Sequence, residues 1–246
     1  MKLRIVSLFI YIFFVGVQFS PALSQSLVAH WKFDETAGVT AHNEIKDTPA
    51  GVLSSFPADN SQWIKGKVNG AIKFDGVDDF ISIPNFPYAA KGVFTIMFWY
   101  NCLDNHGEHY RYIFSHGGPR NWENNSVFIY FSRASTQRTR LIDHNDETSD
   151  KYLELSIADK APADGRWHHL AMTVSSEGTM VYIDGVKSGT MDAGGDPMKP
   201  TNDIVLGTRN NKMETRYYDG KLDDLRIYDY SLSEKQISKV LSKIKN

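Results

Sequence analysis

The sequence has very little cysteine, no excess of either charge, and only one long apolar run. Its 246 residues include a single cysteine, Cys102, which excludes an internal disulfide framework and every motif that needs two thiols, including zinc ribbons, CxxC redox centres and iron–sulfur clusters. Lys and Arg number 27 against 29 Asp and Glu, so no basic face for nucleic acid is expected. The abundant residues, aromatics at 13% and 18 glycines, are typical of a sheet-rich globular protein.

The long apolar run lies at the N-terminus. Two basic residues precede an uncharged stretch over residues 5–23, which ends in small residues. This order predicts a secretory signal peptide over residues 1–24 and one exported domain over residues 25–246. A retained membrane anchor is the alternative, since the run is just long enough to span a bilayer. We therefore expect a secreted, periplasmic or cell-surface protein that has no membrane span once the signal is cleaved.

Beyond residue 25 the apolar residues recur in short blocks bounded by Gly, Asn, Asp or Pro. This rhythm predicts β-strands separated by turns in one antiparallel domain, because parallel strands would need long crossovers. Asp75-Gly76 and Asp184-Gly185 predict tight hairpin turns, since both residues of each pair tolerate positive φ. The predicted strands are 27–33, 71–74, 80–83, 94–100, 112–114, 126–132, 139–142, 153–157, 168–174, 179–183, 203–206 and 220–228.

The C-terminal segment has a different pattern. Residues 231–234 (SLSE) have the spacing of a capping box. The apolar residues that follow recur at helical intervals and are Ile237, Val240, Leu241 and Ile244. The segment is predicted to be a short helix that packs this apolar stripe on the strands.

Five blocks of the sequence together follow the pattern of a known family. They are residues 27–35 (LVAHWKFDE), 70–81 (GAIKFDGVDDFI), 94–99 (FTIMFW), 166–171 (RWHHLA) leading to 182–185 (YIDG), and 220–228 (GKLDDLRIY). In this order they resemble the laminin-G-like jelly-roll domains of the concanavalin A-like lectin/glucanase superfamily. The resemblance implies an all-β, two-sheet antiparallel jelly-roll sandwich, here with a short C-terminal helix, in which the first and last strands lie side by side.

Large residues at strand spacing are expected to form the core of this sandwich. They are Trp31, Phe33, Phe98, Trp167, Leu170, Val181, Ile183, Leu225 and Ile227. The lone thiol of Cys102 follows an apolar strand and is expected to be sheltered in the same core.

Catalysis is not predicted. Hydrolases of the superfamily carry Glu-x-Asp-x-x-Glu on one strand, because two carboxylates must flank the glycosidic bond, and this sequence has no such run. Asp223 and Asp224 are neighbours on a strand and are expected to face opposite ways, as are His168 and His169, which then cannot chelate one metal ion. A non-enzyme is expected, and a glycan-processing enzyme is kept as an alternative.

A calcium site is predicted where the first and last strands meet. Asp34 ends the first strand and Asp223 lies on the last, so their carboxylates, with Asn43 and backbone carbonyls, supply the hard oxygen ligands that Ca²⁺ accepts. The resemblance also implies calcium, but the glycine-rich loop usual in the family is replaced by residues 43–49 (NEIKDTP). The alternative is that the two carboxylates accept turn hydrogen bonds or pair with a cation such as Arg226.

Exposed aromatic rings are the feature that favours a carbohydrate ligand, because sugar faces stack on such rings beside polar groups. The loop over residues 105–122 and the segment around Arg216 are both rich in aromatic and basic residues. The predicted ligand-binding residues are Tyr110, Tyr112, Arg120, Trp122 and Tyr217. We expect a secreted, non-catalytic binding module for a glycan or cell-surface polysaccharide. A structural or adhesion protein that docks other proteins is the alternative.

Overall fold

The computed structural model describes residues 26–103, 110–117, 126–131, 137–142, 152–156, 162–191, 202–209 and 216–244, except the side chains of 137–142 and 152–156. In this part of the chain the elements are β1 (Leu27–Trp31), β2 (Thr40–Ala41), β3 (Gly51–Ser54), β4 (Trp63–Val68), β5 (Gly70–Asp75), β6 (Phe80–Ile83), β7 (Phe94–Asn101), β8 (Arg111–His116), β9 (Ser126–Phe131), β10 (Gln137–Ile142), β11 (Tyr152–Ser156), β12 (His168–Ser175), β13 (Gly178–Ile183), β14 (Val186–Met191), β15 (Ile204–Leu206), β16 (Asp219–Tyr228) and α1 (Glu234–Ile244).

The strands form two antiparallel sheets. The first sheet has the order β14-β13-β12-β7-β16-β5-β4, with β1 also paired to β16, and the second has the order β11-β10-β9-β8-β15-β6-β3-β2. Strand β16 is therefore central, with β7 on one side and both β5 and β1 on the other. Leu27 stands opposite Tyr228, and Trp31 opposite Leu225. The predicted sandwich, and its adjacent first and last strands, are confirmed.

Apolar side chains from both sheets meet in the core between them. Of the nine predicted core residues, all but Trp167 are buried there. Trp167 is half-buried and packs instead in the apolar layer between the first sheet and α1. Cys102 is 3% exposed and belongs to the core, as predicted.

The two Asp-Gly turns have different roles. Asp184 (φ 52°) and Gly185 (φ 83°) both adopt positive φ and join β13 to β14, which confirms the hairpin. The prediction of a hairpin at Asp75-Gly76 is wrong, because β5 lies in the first sheet and β6 in the second. There Asp75 Oδ1 accepts the N–H of Val77 (2.8 Å) in a turn that carries the chain from one sheet to the other.

The helix α1 is capped two residues later than its sequence suggests. Ser233, not Ser231, forms the capping box: Gln236 Oε1 accepts the Ser233 N–H at 2.9 Å, and Ser233 Oγ accepts the Gln236 N–H at 3.4 Å. Ile237 and Leu241 are buried against the first sheet, as predicted. Within the described residues no helix is long and apolar enough to cross a membrane. The predicted signal peptide lies outside them and stays a prediction.

A buried histidine makes the stability of this core sensitive to acid. His116 lies between Tyr88 Oη (2.8 Å from Nδ1) and Asn85 Oδ1 (3.2 Å from Nε2), and burial lowers its pKa to about 4. Because the unfolded chain binds a proton near pH 6.5, the neutral ring stabilises the fold above that pH. The stabilisation is lost as the pH falls from 6.5 towards 4.

We expect His116→Gln to flatten the pH dependence of stability. Between pH 7.5 and pH 5 the wild type should lose about 2 kcal/mol of unfolding free energy that the variant does not lose, as measured by urea denaturation. His42→Gln, at a ring that is 71% exposed, is the matched control. Equal losses in wild type and His116→Gln would contradict the prediction.

Candidate functional site

A cluster of aromatic rings lies on the outer face of the second sheet. In β9, Val127, Ile129 and Phe131 point into the core, so the alternate residues Phe128 and Tyr130 face outward. Tyr112 of β8 stands opposite Tyr130 and joins them on this face. The strand is therefore apolar on both faces, which is the pattern of a sheet covered on both sides.

The rings of this cluster contact one another directly. Tyr112 and Tyr130 are stacked with centroids 4.8 Å apart and planes at 27°, and Phe128 meets Tyr112 edge-on at 5.7 Å. Tyr110 meets Tyr130 edge-on at 5.5 Å. The three strand residues are at most 3% exposed, whereas Tyr110 is half-buried. Tyr110 is thus the ring at the border of the cluster.

Two arginines lie over these rings. The guanidinium of Arg216 is 5.3 Å from the Tyr110 centroid and 5.9 Å from that of Tyr112, and its Nη1 donates to Tyr112 Oη at 3.4 Å. Arg209 is buried, 5.0 Å from the Phe128 centroid. Both arrangements are cation–π contacts.

We name Tyr110, Tyr112, Phe128, Tyr130, Arg209 and Arg216 together the aromatic cluster. A half-buried ring beside a guanidinium fork can stack on a sugar and donate to its oxygens.

The predicted ligand residues fall in three places. Tyr110 and Tyr112 belong to the aromatic cluster, and the Tyr112 N–H donates to the carbonyl of Arg216 (3.3 Å), which brings together the two regions singled out in the sequence. Tyr217 is buried at 8% exposure, and its carbonyl accepts from Arg111 Nη1 (2.8 Å). The other two, Arg120 and Trp122, lie outside the described residues.

Four members of the cluster were not predicted as ligand-binding residues: Phe128, Tyr130, Arg209 and Arg216. The signal for the first two is the strand sequence SVFIYF at 126–131, which is apolar at consecutive rather than alternate positions. No sequence signal places the two arginines over these rings, because β8 and β15 become neighbours only in the folded sheet.

Asp34 and Asp223 both reach the turn between β4 and β5, and we name these two residues the acid corner. The Gly70 N–H donates to Asp34 Oδ1 (2.8 Å), and the Val68 N–H donates to Asp223 Oδ2 (2.8 Å). The carboxylates therefore accept turn hydrogen bonds, which is the alternative that the sequence left open. The pKa of Asp223 is raised to about 8, mainly by burial, with the neighbouring Asp224 and Asp34 charges adding to the rise.

The acid corner and Asn43 differ in what they offer a cation. Asp223 is fully buried, and its Oδ1 has no hydrogen-bond partner among the described residues. Asn43 Oδ1 already accepts two backbone N–H groups, from His30 (3.1 Å) and Ile45 (2.9 Å), so both of its lone pairs are occupied. The two aspartates fit a cation, whereas the Asn43 oxygen does not.

Strict alternation fails at Asp223 and Asp224. The register with β7 shifts between Asp223 and Arg226, and Asp224 adopts a positive φ of 53°. The core residues on either side, Leu222 and Leu225, are therefore three positions apart, and both carboxyl groups lie outside the apolar core. The expectation that the two carboxyl groups face opposite ways is wrong because of this bulge.

His168 and His169 do face opposite ways, as predicted. His168 lies between Asp184 Oδ2 (2.8 Å) and Asp164 Oδ1 (3.1 Å). His169 packs against Trp99 on the other face, and burial lowers its pKa to about 3. The two rings are parts of separate structural contacts and do not form one site.

Two packed antiparallel sheets around a central last strand define a jelly-roll β-sandwich domain. The family model of the concanavalin A-like lectin/glucanases superfamily matches residues 75–238, more than half of the chain, and the chain belongs to this superfamily. Comparison with curated protein sequences gives no match.

Solved structures with the same fold include binding domains and a glycosidase. Domain 4 of AbnA, an extracellular GH43 arabinanase from Geobacillus stearothermophilus in complex with arabinotriose, is 19% identical (TM-score 0.59, 87% of this chain, 98% of that chain). The binding domain of Paraclostridial Mosquitocidal Protein 1 is 16% identical (TM-score 0.67, 87% and 51%). Trypanosoma rangeli sialidase is 14% identical (TM-score 0.59, 86% and 32%). The chain spans about half of that toxin domain and a third of the sialidase, and at these identities the likeness shows the fold.

Proposed function

We propose that the chain is an exported, non-catalytic carbohydrate-binding module whose ligand contacts the border of the aromatic cluster. The observation that carries this proposal is the pair Tyr110 and Arg216, both half-buried and 5.3 Å apart, on a base of stacked rings. A pre-formed ring and a guanidinium of this kind stack on a sugar and bind its oxygens with little loss of side-chain entropy. The arabinotriose complex of the related arabinanase domain supports the same ligand class.

Binding rather than hydrolysis fits the chemistry of this site. Most retaining and inverting glycosidases place two carboxyl groups on either side of the scissile bond. The side chains that form the aromatic cluster are rings and guanidinium groups, which orient a sugar without supplying such a pair of carboxyl groups. The predicted signal peptide over residues 1–24 supports the proposed export.

Calcium is part of the same proposal. The unpartnered, buried Oδ1 of Asp223 and the carboxylate of Asp34 are the groups that would hold the ion, with backbone carbonyls completing its oxygen shell. Such an ion would displace the proton that the raised pKa of Asp223 favours at neutral pH, and it would fix the turn between β4 and β5. Asn43 is left out of this ligand set because its oxygen is already occupied.

A glycan array followed by titration of the best ligand tests the binding function. Tyr110→Ala and Arg216→Ala are each expected to weaken binding at least tenfold, which corresponds to about 1.4 kcal/mol. Arg216→Lys should also weaken it, because an ammonium lacks the planar fork. The same array with Trp122→Ala and Arg120→Ala tests the two predicted residues outside the described part of the chain.

The matched controls are Tyr230→Ala, a half-buried tyrosine beside Tyr228 on the first sheet, and Arg166→Ala, an exposed arginine; both should bind like the wild type. Wild type that binds no glycan but recovers a protein partner in a pull-down would favour the docking alternative. Hydrolysis of a polysaccharide panel above background would overturn the non-catalytic assignment.

A further inference from the structure

The turn that carries the chain from the first sheet to the second holds three aspartates in one small volume. Asp75, Asp78 and Asp79 each bring a carboxylate oxygen within 4.8 Å of the others. Asp75 and Asp78 are exposed, and Asp79 is 1% exposed. In the described part of the chain no Lys, Arg or His forms an ion pair with any of the three. Three like charges this close, without a cation, repel one another.

Backbone donors satisfy only part of this group. Asp75 Oδ1 accepts the Val77 and Asp78 N–H groups, and Asp79 Oδ2 accepts the Asp75 N–H at 2.9 Å. Asp79 Oδ1 is buried and has no hydrogen-bond partner among the described residues. An orphaned buried carboxylate oxygen costs free energy unless a donor or a cation meets it. The Asp79 carboxyl group lies beside two other carboxylates, which favours a cation over a neutral donor.

We propose that Asp75, Asp78 and Asp79 bind one Ca²⁺ ion, at a site separate from the acid corner. The donor set is entirely oxygen, with no His or Cys, which selects a hard cation over zinc or copper. Asp79 Oδ1 supplies a fixed ligand and the two exposed aspartates supply ligands that adjust, and water completes the six to eight oxygens that Ca²⁺ takes. Mg²⁺ is less suited, because it keeps several of its waters and is usually held by only one or two carboxylates.

Neighbouring residues contact the backbone of this turn but do not occupy the space beside its carboxylates. Arg111 Nη1 donates to the carbonyl of Gly76 (3.1 Å), so its charge is directed to the backbone and not to the carboxylates. On the inner side, Gly207 lies so close that a Cβ there would be 2.9 Å from the Asp79 carbonyl oxygen. The carboxylates are thus fixed on one side by packing and open to solvent on the other, which gives an ion a path of entry.

Isothermal titration of CaCl₂ into chelator-stripped full chain tests the site. Asp78→Asn is the cleanest variant, because no hydrogen bond of the turn is accepted by the Asp78 carboxylate. It is expected to lower the number of bound Ca²⁺ ions by one, or to weaken one site at least tenfold, and to reduce the calcium-dependent rise in Tm. Asp79→Asn should do the same while its amide oxygen still accepts the Asp75 N–H.

Two further variants distinguish this site from calcium binding elsewhere on the chain. Asp59→Asn removes an exposed aspartate of another turn, where Oδ1 accepts the Ser61 N–H (3.0 Å), and should bind Ca²⁺ like the wild type. Asp34→Asn reports on the acid corner alone. Unchanged stoichiometry and affinity in Asp78→Asn, or a wild type that binds no Ca²⁺, would overturn the proposal. So would calcium binding that only Asp34→Asn removes.

Discussion

Replacing Asp224 by alanine is expected to lower the free energy of unfolding by about 3–5 kcal/mol, the cost of leaving buried charge without its partner. Asp224 is 4% exposed, and its Oδ1 lies 2.5 Å from His30 Nε2 and accepts Arg226 Nη2 at 3.0 Å. Removal of this one oxygen leaves an arginine and a buried histidine unpaired. Because His30 is on β1 and Arg226 on β16, the same change also weakens the pairing of the first and last strands.

Urea denaturation measures this effect, with Glu44→Ala as the control. Glu44 accepts from Lys32 Nζ at 2.8 Å, but both side chains are exposed, so losing that pair should cost less than about 1 kcal/mol. If Asp224→Ala were no more costly than Glu44→Ala, the buried cluster would not be a significant source of stability.

Gly207→Ala is expected to destabilise the fold by about 2–4 kcal/mol, for two additive reasons. Gly207 adopts a φ of +88°, which an alanine adopts only with strain. The added Cβ would also lie 2.5 Å from Phe74 Cε1 in the core. The backbone cannot move aside easily, because the Gly207 N–H donates to Ile113 O (3.0 Å) and its carbonyl accepts the Tyr218 N–H (2.7 Å).

Gly38→Ala separates the two contributions. Gly38 has nearly the same φ, +90°, but a Cβ there would meet nothing within 4 Å. It should therefore show only the backbone cost, about 1 kcal/mol. Thermal or urea unfolding that gave the same loss for both glycines would show that the contact with Phe74 is relieved by side-chain movement.

The sequence predicted the central strands of this fold better than its edges. Strands such as β7 and β12 are continuous apolar runs and were recognised, whereas β3 and β4 were missed. In β4 the sequence WIKGKV places Lys65 and Lys67 around Gly66, because this strand lies at the edge of its sheet, where lysines oppose unwanted pairing. Local hydrophobicity does not mark such a strand.

Other errors have tertiary causes. Ser231 and Ser233 both precede an acid or amide by three residues, and the chain uses Ser233 because the Leu232 N–H donates to Thr95 Oγ1 (2.9 Å), which fixes where the helix begins. A turn sequence such as Asp75-Gly76 shows that the chain bends, but it does not show that the next strand enters the other sheet. The start of α1 and the path of the chain after Asp75-Gly76 both depend on residues that are far away in the sequence.

The candidate site was predicted only in part, because its residues come together from distant parts of the sequence. The density of aromatic and basic residues near Tyr110, and again near Arg216, was visible in the sequence. The contact between these two regions could not be predicted. Tyr110 lies just before β8 and Arg216 just before β16, and the two residues are more than a hundred positions apart in the sequence. The adjacent Tyr217 and Tyr218 look equivalent, yet Tyr218 is fully buried and stacks on Phe131 in the core.

The central position of β16 also sets the order in which this chain can become a folded protein. Until residues 219–228 have left the ribosome, β4 and β5 on one side and β7, β12, β13 and β14 on the other have no strand to join them. Each part then exposes an apolar face, and β16 follows all of these strands in the sequence, so this sheet closes only after residues 219–228 have been made. Until then the apolar faces of both parts are exposed to aggregation.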